Sequence, residues 1–242
     1  MKYKAALFDL GSTLIEFENQ DWSTLGRMGI KAAYPLMKDR FPRLPEVNHF
    51  GPTFYRYLMD ILDQRTDHSE VGLHDACARI FQRMGLTIDN GIVEKFVNIY
   101  YKPVTDQLTL IPGAVEILEK LKDAGLIIGL VSNSIFPEEF HLGEMERFGL
   151  LKYFDFTIFS SSIGKRKPGK AIFEMALDKA NVDSSQAIFI GDRFDADIVG
   201  AKNLGIISVW KHRENRENPD NVIPDYSIIN LSELETIVLD KE

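Results

Sequence analysis

Near its start the chain reads Ala5-Ala6-Leu7-Phe8-Asp9-Leu10-Gly11-Ser12-Thr13. Four apolar residues lead directly into an aspartate, and a short polar stretch with a glycine follows. An uninterrupted apolar run of this kind is typical of a parallel strand that is buried on both faces. The sequence therefore predicts a buried strand that carries Asp9 to the point where a loop begins.

Similar apolar runs recur along the chain and indicate the fold class. Runs that end in small or polar residues cover residues 5–9, 127–132, 156–160, 187–191 and 206–210. Helical patterns lie between them, at 112–124 and 170–180. Alternating strands and helices favour an α/β fold with a doubly wound, mainly parallel sheet.

The stretch from 17 to 107 interrupts this alternation. It lacks β-rich runs and has a helical pattern that is punctuated by turn-forming residues, namely Pro42, Pro45, Gly51-Pro52, Gly72 and Gly85. A second set of side chains forms an apolar stripe that we interpret as helix core: Phe54, Tyr55, Tyr57, Leu58 and Ile61. We therefore predict an α-helical cap domain at 17–107, inserted into a core domain formed by 1–16 and 108–242.

Composition and charge exclude several classes of protein. The chain has 242 residues, with 28 Lys and Arg against 36 Asp and Glu, so its net charge is −8 and its pI about 5.2. This balance disfavours nucleic acid as a partner. No apolar run approaches the roughly 20 residues that cross a bilayer, and the N-terminal residues lead straight into a strand. The lone Cys77 has no disulfide partner, which indicates a cytoplasmic location.

A second carboxylate site follows another apolar run, Ile188-Phe189-Ile190-Gly191-Asp192, with Asp195 and Asp197 shortly after it. Because the carboxyl ends of parallel strands share one edge, we expect this acidic group to lie near Asp9. Neighbouring carboxylates raise one another's pKa unless a cation neutralises them, and oxygen ligands favour Mg²⁺ over zinc.

Two further segments are expected at the same edge. Ser132 and Asn133 end one strand, and the cations of 165–167 precede a helix. Either feature alone is explained as well by helix capping or by a solvated basic turn. A mixed-charge run at 211–217 is interpreted as a solvated loop.

In this order and spacing the segments resemble the haloacid dehalogenase superfamily, in particular its members with a helical cap after the first strand. The matching positions are Asp9 to Thr13, Ser132, Gly164 with Lys167 and Pro168, and Gly191 with Asp192 and Asp197. The resemblance covers residues 4 to about 238, including a closing strand and helix after Pro224. It implies a Rossmann-like core and a phosphatase.

The resemblance also implies roles for individual residues. Asp9 would form an aspartyl phosphate, and Mg²⁺ would be held by Asp9, the carbonyl of Gly11 and Asp192. Ser132 and Lys167 would bind the transferring group, and Asp197 would orient Lys167 or a metal-bound water. Asn133 and the backbone N–H groups around Gly11 and Ser12 would also bind substrate. Lys165 is the alternative lysine, which the family pattern disfavours because its lysine directly precedes proline.

One position departs from the family pattern, because the second aspartate of the first motif is Gly11 here. That aspartate acts as general acid and base, and losing such a group costs about 10²- to 10⁴-fold in rate. Glu16 and Glu18 are candidate replacements. The sequence favours a Mg²⁺-dependent phosphohydrolase of small phosphorylated metabolites. It leaves two alternatives open: a metal-independent 2-haloacid dehalogenase or phosphonatase-like hydrolase, and a weakly active or inactive phospho-ligand-binding scaffold.

The sequence leaves the substrate and the oligomeric state open. Five side chains of the helical stretch are candidates for substrate contact and equally for ordinary surface or core positions: Arg27, Tyr34, His49, Arg56 and Tyr57.

Overall fold

The computed structural model describes residues 2–214, 216–218 and 221–239. Its strands are β1 (Ala5–Phe8), β2 (Ile15–Glu16), β3 (Thr109–Leu110), β4 (Ile127–Ser132), β5 (Phe156–Phe159), β6 (Ala187–Gly191), β7 (Ile207–Lys211) and β8 (Tyr226–Ile228). Six of them form one sheet in the order β5-β4-β1-β6-β7-β8, and every neighbouring pair is parallel. The predicted parallel α/β fold is confirmed, with each predicted strand within one residue of its observed bounds.

The helices are α1 (Trp22–Arg40), α2 (Val47–Asp63), α3 (Leu73–Arg83), α4 (Asn90–Gln107), α5 (Ala114–Asp123), α6 (Glu138–Arg147), α7 (Ser160–Ile163), α8 (Lys170–Ala180), α9 (Val199–Asn203) and α10 (Leu234–Leu239). A π-helical turn, Phe194–Ile198, leads into α9. Among the described residues, no helix has the length and apolarity to cross a membrane.

The sheet is covered on both faces because side chains alternate along each strand. In β1, Ala5 and Leu7 belong to a buried cluster that includes Phe173 of α8. Ala6 and Phe8 belong to the opposite cluster, which includes Leu118 of α5. This is the two-sided burial that a doubly wound sheet requires.

The strand order places a reversal at β1. The chain passes from β1 to β4 and β5 on one side, then crosses to β6 on the other. Phe8 is in register with Leu130 of β4 and with Ile190 of β6. Open α/β sheets bind ligands at such a switch point, beyond the carboxyl ends of the strands. Asp9 follows Phe8 at this point.

Helices α1 to α4 occupy the stretch that was predicted to be helical. Asp21 caps α1 by accepting a hydrogen bond from the Thr24 backbone N–H at 2.8 Å, and Asp89 caps α4 from Ile92 N–H at 3.1 Å. Phe54 lies at the centre of an aromatic cluster in which its ring centroid is 5.3 to 6.1 Å from its neighbours. These rings pack α2, α3 and α4 together, and they belong to the same buried cluster as Phe8 of β1 and Leu118 of α5.

Two expectations for the helical stretch were wrong. Gly51-Pro52 was expected to separate two helices, but both residues lie inside α2. The buried stripe formed by Phe50, Phe54 and Leu58 runs past them, and its burial outweighs the backbone hydrogen bond that the proline cannot donate. Tyr55 was expected in the core, but it is 41% exposed, because its position in α2 lies off that stripe.

Helix α1 approaches α4 closely at Gly29. A Cβ at this position would lie 2.4 Å from the backbone oxygen of Tyr100, which cannot move without displacing α4. We expect Gly29→Ala to lower the free energy of unfolding by about 1–3 kcal/mol through overpacking. Gly143→Ala in α6 is the control, since a Cβ there meets nothing within 4 Å and alanine favours a helix. Chemical denaturation of both variants checks the expectation; equal stabilities would contradict it.

Candidate active site

Lys167 lies between two buried carboxylates at the switch point. Its Nζ atom is 2.7 Å from Asp9 Oδ1 and 2.7 Å from Asp197 Oδ1. The lysine and Asp197 side chains are each 1% exposed, and that of Asp9 is 11% exposed. Burial alone would lower the pKa of Lys167, but the carboxylates of Asp197 and Asp9 outweigh it and raise that pKa. Lys167 is therefore a permanent cation beside Asp9.

The Asn133 side chain holds the backbone of Lys167. Its Oδ1 accepts a hydrogen bond from Lys167 N–H at 2.8 Å, and its Nδ2 donates to the Lys167 carbonyl at 2.9 Å. The end of β4 thus fixes the loop that carries the lysine. Lys165 is exposed and pairs through its backbone with Ser69, and it is not among the residues that line the cavity with Asp9.

Asp192 and Asp197 approach Asp9 from the end of β6. One carboxylate oxygen of each of the three lies within 4.8 Å of the others. Gly191 permits this closeness, because a Cβ there would lie 2.4 Å from Asp197 Cγ. Asp195 was expected in the same group, but its side chain is 53% exposed and pairs with Arg193 at 2.8 Å, since the π-helical turn points it outward.

Burial and mutual repulsion shape the acidity of this cluster. Burial raises the pKa of Asp9 to about 6, although Lys167 opposes the shift. Burial together with the charges of Asp197 and Asp9 raises the pKa of Asp192 to about 7. Lys167 and Arg216, which pairs with Asp192, leave the three carboxylates with an excess negative charge, so a further cation is favoured, and an oxygen-only ligand set suits Mg²⁺. The residues present therefore fit the metal that the sequence predicts.

The remaining predicted site residues surround the same cavity of about 350 Å³. Ser132 and Gly11 line it. Ser12 lines it too, but its hydroxyl is engaged with protein groups: it donates to Glu16 Oε1 at 3.2 Å and accepts from Arg213.

Arg213 and Arg216 are functional candidates that the sequence interpretation missed. The run at 211–217 was expected to be a solvated loop, yet these two side chains are only 21% and 17% exposed. Arg216 pairs with Asp192 and, at 3.2 Å, with Glu18; Arg213 pairs with Glu16 and, at 3.2 Å, with Glu18. We name residues 212–214 and 216–218 the arginine strap. The alternating charges of this run do not indicate, from the sequence alone, that its arginines pair with buried carboxylates.

Glu18 was a candidate for the missing general acid. Burial alone would raise its pKa, but the guanidinium groups of Arg216 and Arg213 outweigh burial and lower it. Glu18 therefore holds a negative charge at neutral pH. Glu16 is also held in an ion pair, with Arg213.

Helices α1, α2 and α4 supply the side of the cavity that faces the strand ends. Their lining residues are mostly apolar or aromatic: Trp22, Tyr55, Leu58, Met59, Leu62 and Tyr100. The five candidates that the sequence offered for substrate contact from this stretch are not among the residues that line the cavity: Arg27, Tyr34, His49, Arg56 and Tyr57. A helical pattern places residues on a face of the helix but does not show which face meets the core.

Comparisons with known proteins agree with this architecture. The sequence model of the haloacid dehalogenase-like hydrolases matches residues 56–211. The chain belongs to this family of hydrolases. The pyrimidine 5′-nucleotidase YjjG of Escherichia coli (strain K12) is 29% identical over 241 residues, which cover 98% of this chain and 99% of that protein.

Two further relatives are similar over most of the chain. A glyceraldehyde 3-phosphate phosphatase of Pyrococcus furiosus is 27% identical over 213 residues, which cover 86% of this chain and 80% of that protein. The crystal structure of a 2-haloacid dehalogenase from Pseudomonas syringae pv. Tomato DC3000 superposes with a TM-score of 0.69 at 22% identity and covers 98% of each chain. The last comparison bears on the fold alone.

Replacing Lys167 and Lys165 in turn should show which of the two lysines serves catalysis. We expect Lys167→Ala to lower kcat by at least about 10²-fold, because negative charge that develops in the transition state is left unbalanced. The matched variant Lys165→Ala removes an exposed lysine two residues away and should change kcat less than about threefold. Steady-state kinetics of both variants measure the difference, and the reverse ranking would show that Lys165 is the functional lysine.

The raised pKa values predict how the metal-free protein responds to pH. Asp9 and Asp192 have folded-state values of about 6 and 7, above the ordinary 3.8. The folded state therefore binds more protons than the unfolded state between these values, and these groups lower stability as the pH rises from about 4 to 7. Mg²⁺ binds the ionised carboxylates, so it should raise Tm more at pH 7.5 than at pH 5.5.

Differential scanning fluorimetry with and without Mg²⁺ measures this effect. In Asp192→Asn the carboxamide cannot ionise, so the Mg²⁺-induced rise in Tm should be much smaller at pH 7.5. A rise of equal size at both pH values in the wild type would contradict the link between Mg²⁺ binding and ionisation of these carboxylates, and no rise at pH 7.5 would refute the metal site.

Proposed function

We propose that the protein is a Mg²⁺-dependent phosphohydrolase that acts on small phosphate monoesters through an aspartyl phosphate at Asp9. The observation that carries the proposal is the contact of Asp9 with Lys167 beside Asp192 and Asp197, at the floor of a cavity large enough for a metabolite. A nucleophilic carboxylate, a fixed cation and a metal-ligand cluster are the components that phosphoryl transfer needs.

In the proposed reaction Asp9 attacks phosphorus and the alcohol leaves. Lys167 stays charged and balances the negative charge that spreads over the phosphoryl oxygens, and the Ser132 hydroxyl donates a hydrogen bond to one of them. Water then attacks phosphorus, which releases phosphate and regenerates the Asp9 carboxylate. Asp197 holds Lys167 in place throughout.

Mg²⁺ would be held by the carboxylates of Asp9 and Asp192 and by the carbonyl of Gly11, and it would neutralise charge on the phosphoryl group. Asp192 would then face two cations, the metal and Arg216.

The acidic cluster separates this proposal from its two alternatives. A metal-independent dehalogenase that uses Asp9 has no use for the buried carboxylate of Asp192. An inactive scaffold has no use for a nucleophile held 2.7 Å from a buried lysine. The relatives that are named a nucleotidase and a triose phosphate phosphatase support the phosphohydrolase.

The shape of the cavity limits the substrate. Aromatic side chains such as Trp22, Tyr55 and Phe136 line it, and they favour a leaving group with a flat or apolar portion, such as a nucleoside. We treat residues 17–107 as a cap domain that covers this leaving group. The acidic chain charge opposes a nucleic-acid substrate, and we assign the enzyme to the cytoplasm on the single buried Cys77.

A panel of phosphate esters tests the proposal. Pyrimidine nucleoside monophosphates, glyceraldehyde 3-phosphate and p-nitrophenyl phosphate are incubated with the protein in the presence of Mg²⁺, Ca²⁺ or a chelator, and phosphate release is measured. We expect turnover with Mg²⁺ and none with chelator or Ca²⁺, because the larger ion takes a looser coordination shell. Asp9→Asn should retain less than about a hundredth of the rate, since it keeps the shape and removes the nucleophile.

Chelator-resistant release of halide from a 2-haloacid would establish the dehalogenase instead. Absence of turnover on every ester with Mg²⁺ present would favour the scaffold.

A further inference from the structure

A chain of four polar side chains runs from the cavity wall into the interior. His141 Nε2 lies 2.6 Å from Ser134 Oγ, and His141 Nδ1 lies 3.0 Å from Glu144 Oε2. The second oxygen of Glu144 accepts a hydrogen bond from the Tyr101 hydroxyl at 2.7 Å. The chain therefore links β4, through the loop that follows it, to α6 and to α4. Nothing in the proposed mechanism so far uses it.

The contacts fix the direction of each hydrogen bond. Glu144 accepts from Tyr101 with one oxygen, and its other oxygen faces His141 Nδ1, which must therefore carry a hydrogen. Nε2 is left to exchange a proton with the Ser134 hydroxyl. The backbone N–H of Phe136 donates to the same Ser134 oxygen at 3.0 Å and holds it in position. A hydroxyl, a base and an orienting carboxylate stand in the order that proton transfer requires.

The chain is buried among aromatic rings. His141 is 4% exposed and Glu144 3%. The His141 ring stacks on Phe159 at 5.3 Å and meets the edge of Phe17 at 5.6 Å. Among the described neighbours, Glu144 and Tyr101 are the titratable groups that contact His141. The hydrogen bond between Glu144 and Tyr101 is enough to link α6 to α4. That structural role therefore does not account for the contact of His141 with Ser134.

The outer end of the chain opens into the reaction cavity. Ser134 and His141 line the same cavity as Asp9, Ser132 and Lys167. Ser134 lies two residues beyond Ser132, the hydroxyl assigned to the phosphoryl group, and both residues line the cavity that would hold the leaving group.

Two other ionisable side chains that line the cavity, those of Glu18 and Tyr100, are poorly suited to donate a proton. Gly11 has no side chain where the family has its acid. Glu18 is held ionised by the arginine strap, and burial raises the pKa of Tyr100. His141 is the one histidine among the described residues that line the cavity.

Building on the proposed function, we propose that Ser134 and His141 form a proton relay that replaces the missing acid and base of Gly11. When Asp9 displaces the leaving group, the P–O bond breaks, the Ser134 hydroxyl gives its proton to the departing alkoxide oxygen, and protonated His141 reprotonates Ser134 from Nε2. The electron pair of the broken bond stays on the alcohol oxygen, and Glu144 keeps its charge.

The second half reverses the flow of the proton. Water attacks the phosphorus of the aspartyl phosphate, and Ser134 accepts one of its protons while passing its own to neutral His141. The P–O bond to Asp9 breaks, so phosphate leaves as the dianion, with Asp9 ionised and His141 protonated again. The relay matters most for esters whose alcohol is a weak acid, because such leaving groups need a proton as the bond breaks.

Two esters of similar shape test the relay: p-nitrophenyl phosphate, whose leaving group needs little help, and benzyl phosphate, whose leaving group is a simple alcohol. For His141→Gln we expect kcat/KM on benzyl phosphate to fall by about 10²- to 10³-fold, and on p-nitrophenyl phosphate by less than about 5-fold. Ser134→Ala should show the same selective loss. His49→Gln, an exposed histidine of α2, is the control and should change neither rate.

Two combined variants sharpen the test. If Ser134 and His141 act as one unit, the double variant should be no slower on benzyl phosphate than the slower single variant. The second combined variant adds Gly11→Asp to His141→Gln. Its kcat/KM on benzyl phosphate should be at least about tenfold higher than that of His141→Gln alone, because the new aspartate supplies the acid directly. The structure accommodates this change: Gly11 is not in the left-handed region, and a Cβ there would lie 3.8 Å from Phe17 Cδ2, an ordinary contact.

The outcomes distinguish the relay from the function on which it rests. No hydrolysis of p-nitrophenyl phosphate by wild type with Mg²⁺ would overturn the proposed function. Normal wild-type turnover with equal losses on both esters in the variants, or with additive losses in the double variant, would overturn the relay alone. If His141→Gln does not fold by circular dichroism, Ser134→Ala decides, since it removes one oxygen from a half-buried position.

Discussion

Lys167 and its two carboxylate partners form the interaction on which the rest of the site depends. A lysine that is 1% exposed survives in the interior because Asp9 and Asp197 each stand 2.7 Å from it. Removing one member of such a buried set leaves an uncompensated charge and costs about 3–5 kcal/mol. Two neighbouring residues support this contact. The Asn133 side chain holds the backbone of Lys167, and Gly191, which has no Cβ, leaves room for Asp197.

Three parts of the fold converge on the Asp9 carboxylate. The sheet delivers it at a switch point, the helical stretch closes a mostly apolar cavity above it, and α6 brings a buried histidine to the cavity wall. The strand ends and the segments that follow them contribute most of the charged side chains that line the cavity, and the helical stretch contributes mostly apolar or aromatic ones. A phosphate monoester has the same division between a charged group and its organic portion, so the cavity and the proposed substrate class are complementary.

The sequence predicted the parts of the structure that local chemistry determines. Apolar runs located the strands, and the strand-end position of Asp9 and Asp192 followed from parallel pairing. The errors at Pro52 and Arg216 share a cause: Pro52 continues a helix whose apolar stripe is buried, and Arg216 pairs with the buried carboxylate of Asp192, in both cases because of distant partners. Local composition does not encode such partners. His141 was missed for the same reason, since its neighbours Ser134 and Tyr101 come from other elements.

The arginine strap gives the site a particular tolerance of ionic strength. Exposed pairs such as Lys102 with Asp106, whose side chains are 68% and 58% exposed, are screened once the Debye length falls to about 10 Å at 0.1 M salt. Arg216 and Asp192, at 17% and 1% exposure, are shielded from mobile ions and keep their attraction. Added salt should therefore weaken the exposed ion pairs first, while Arg216 keeps the arginine strap against Asp192 of the acidic cluster.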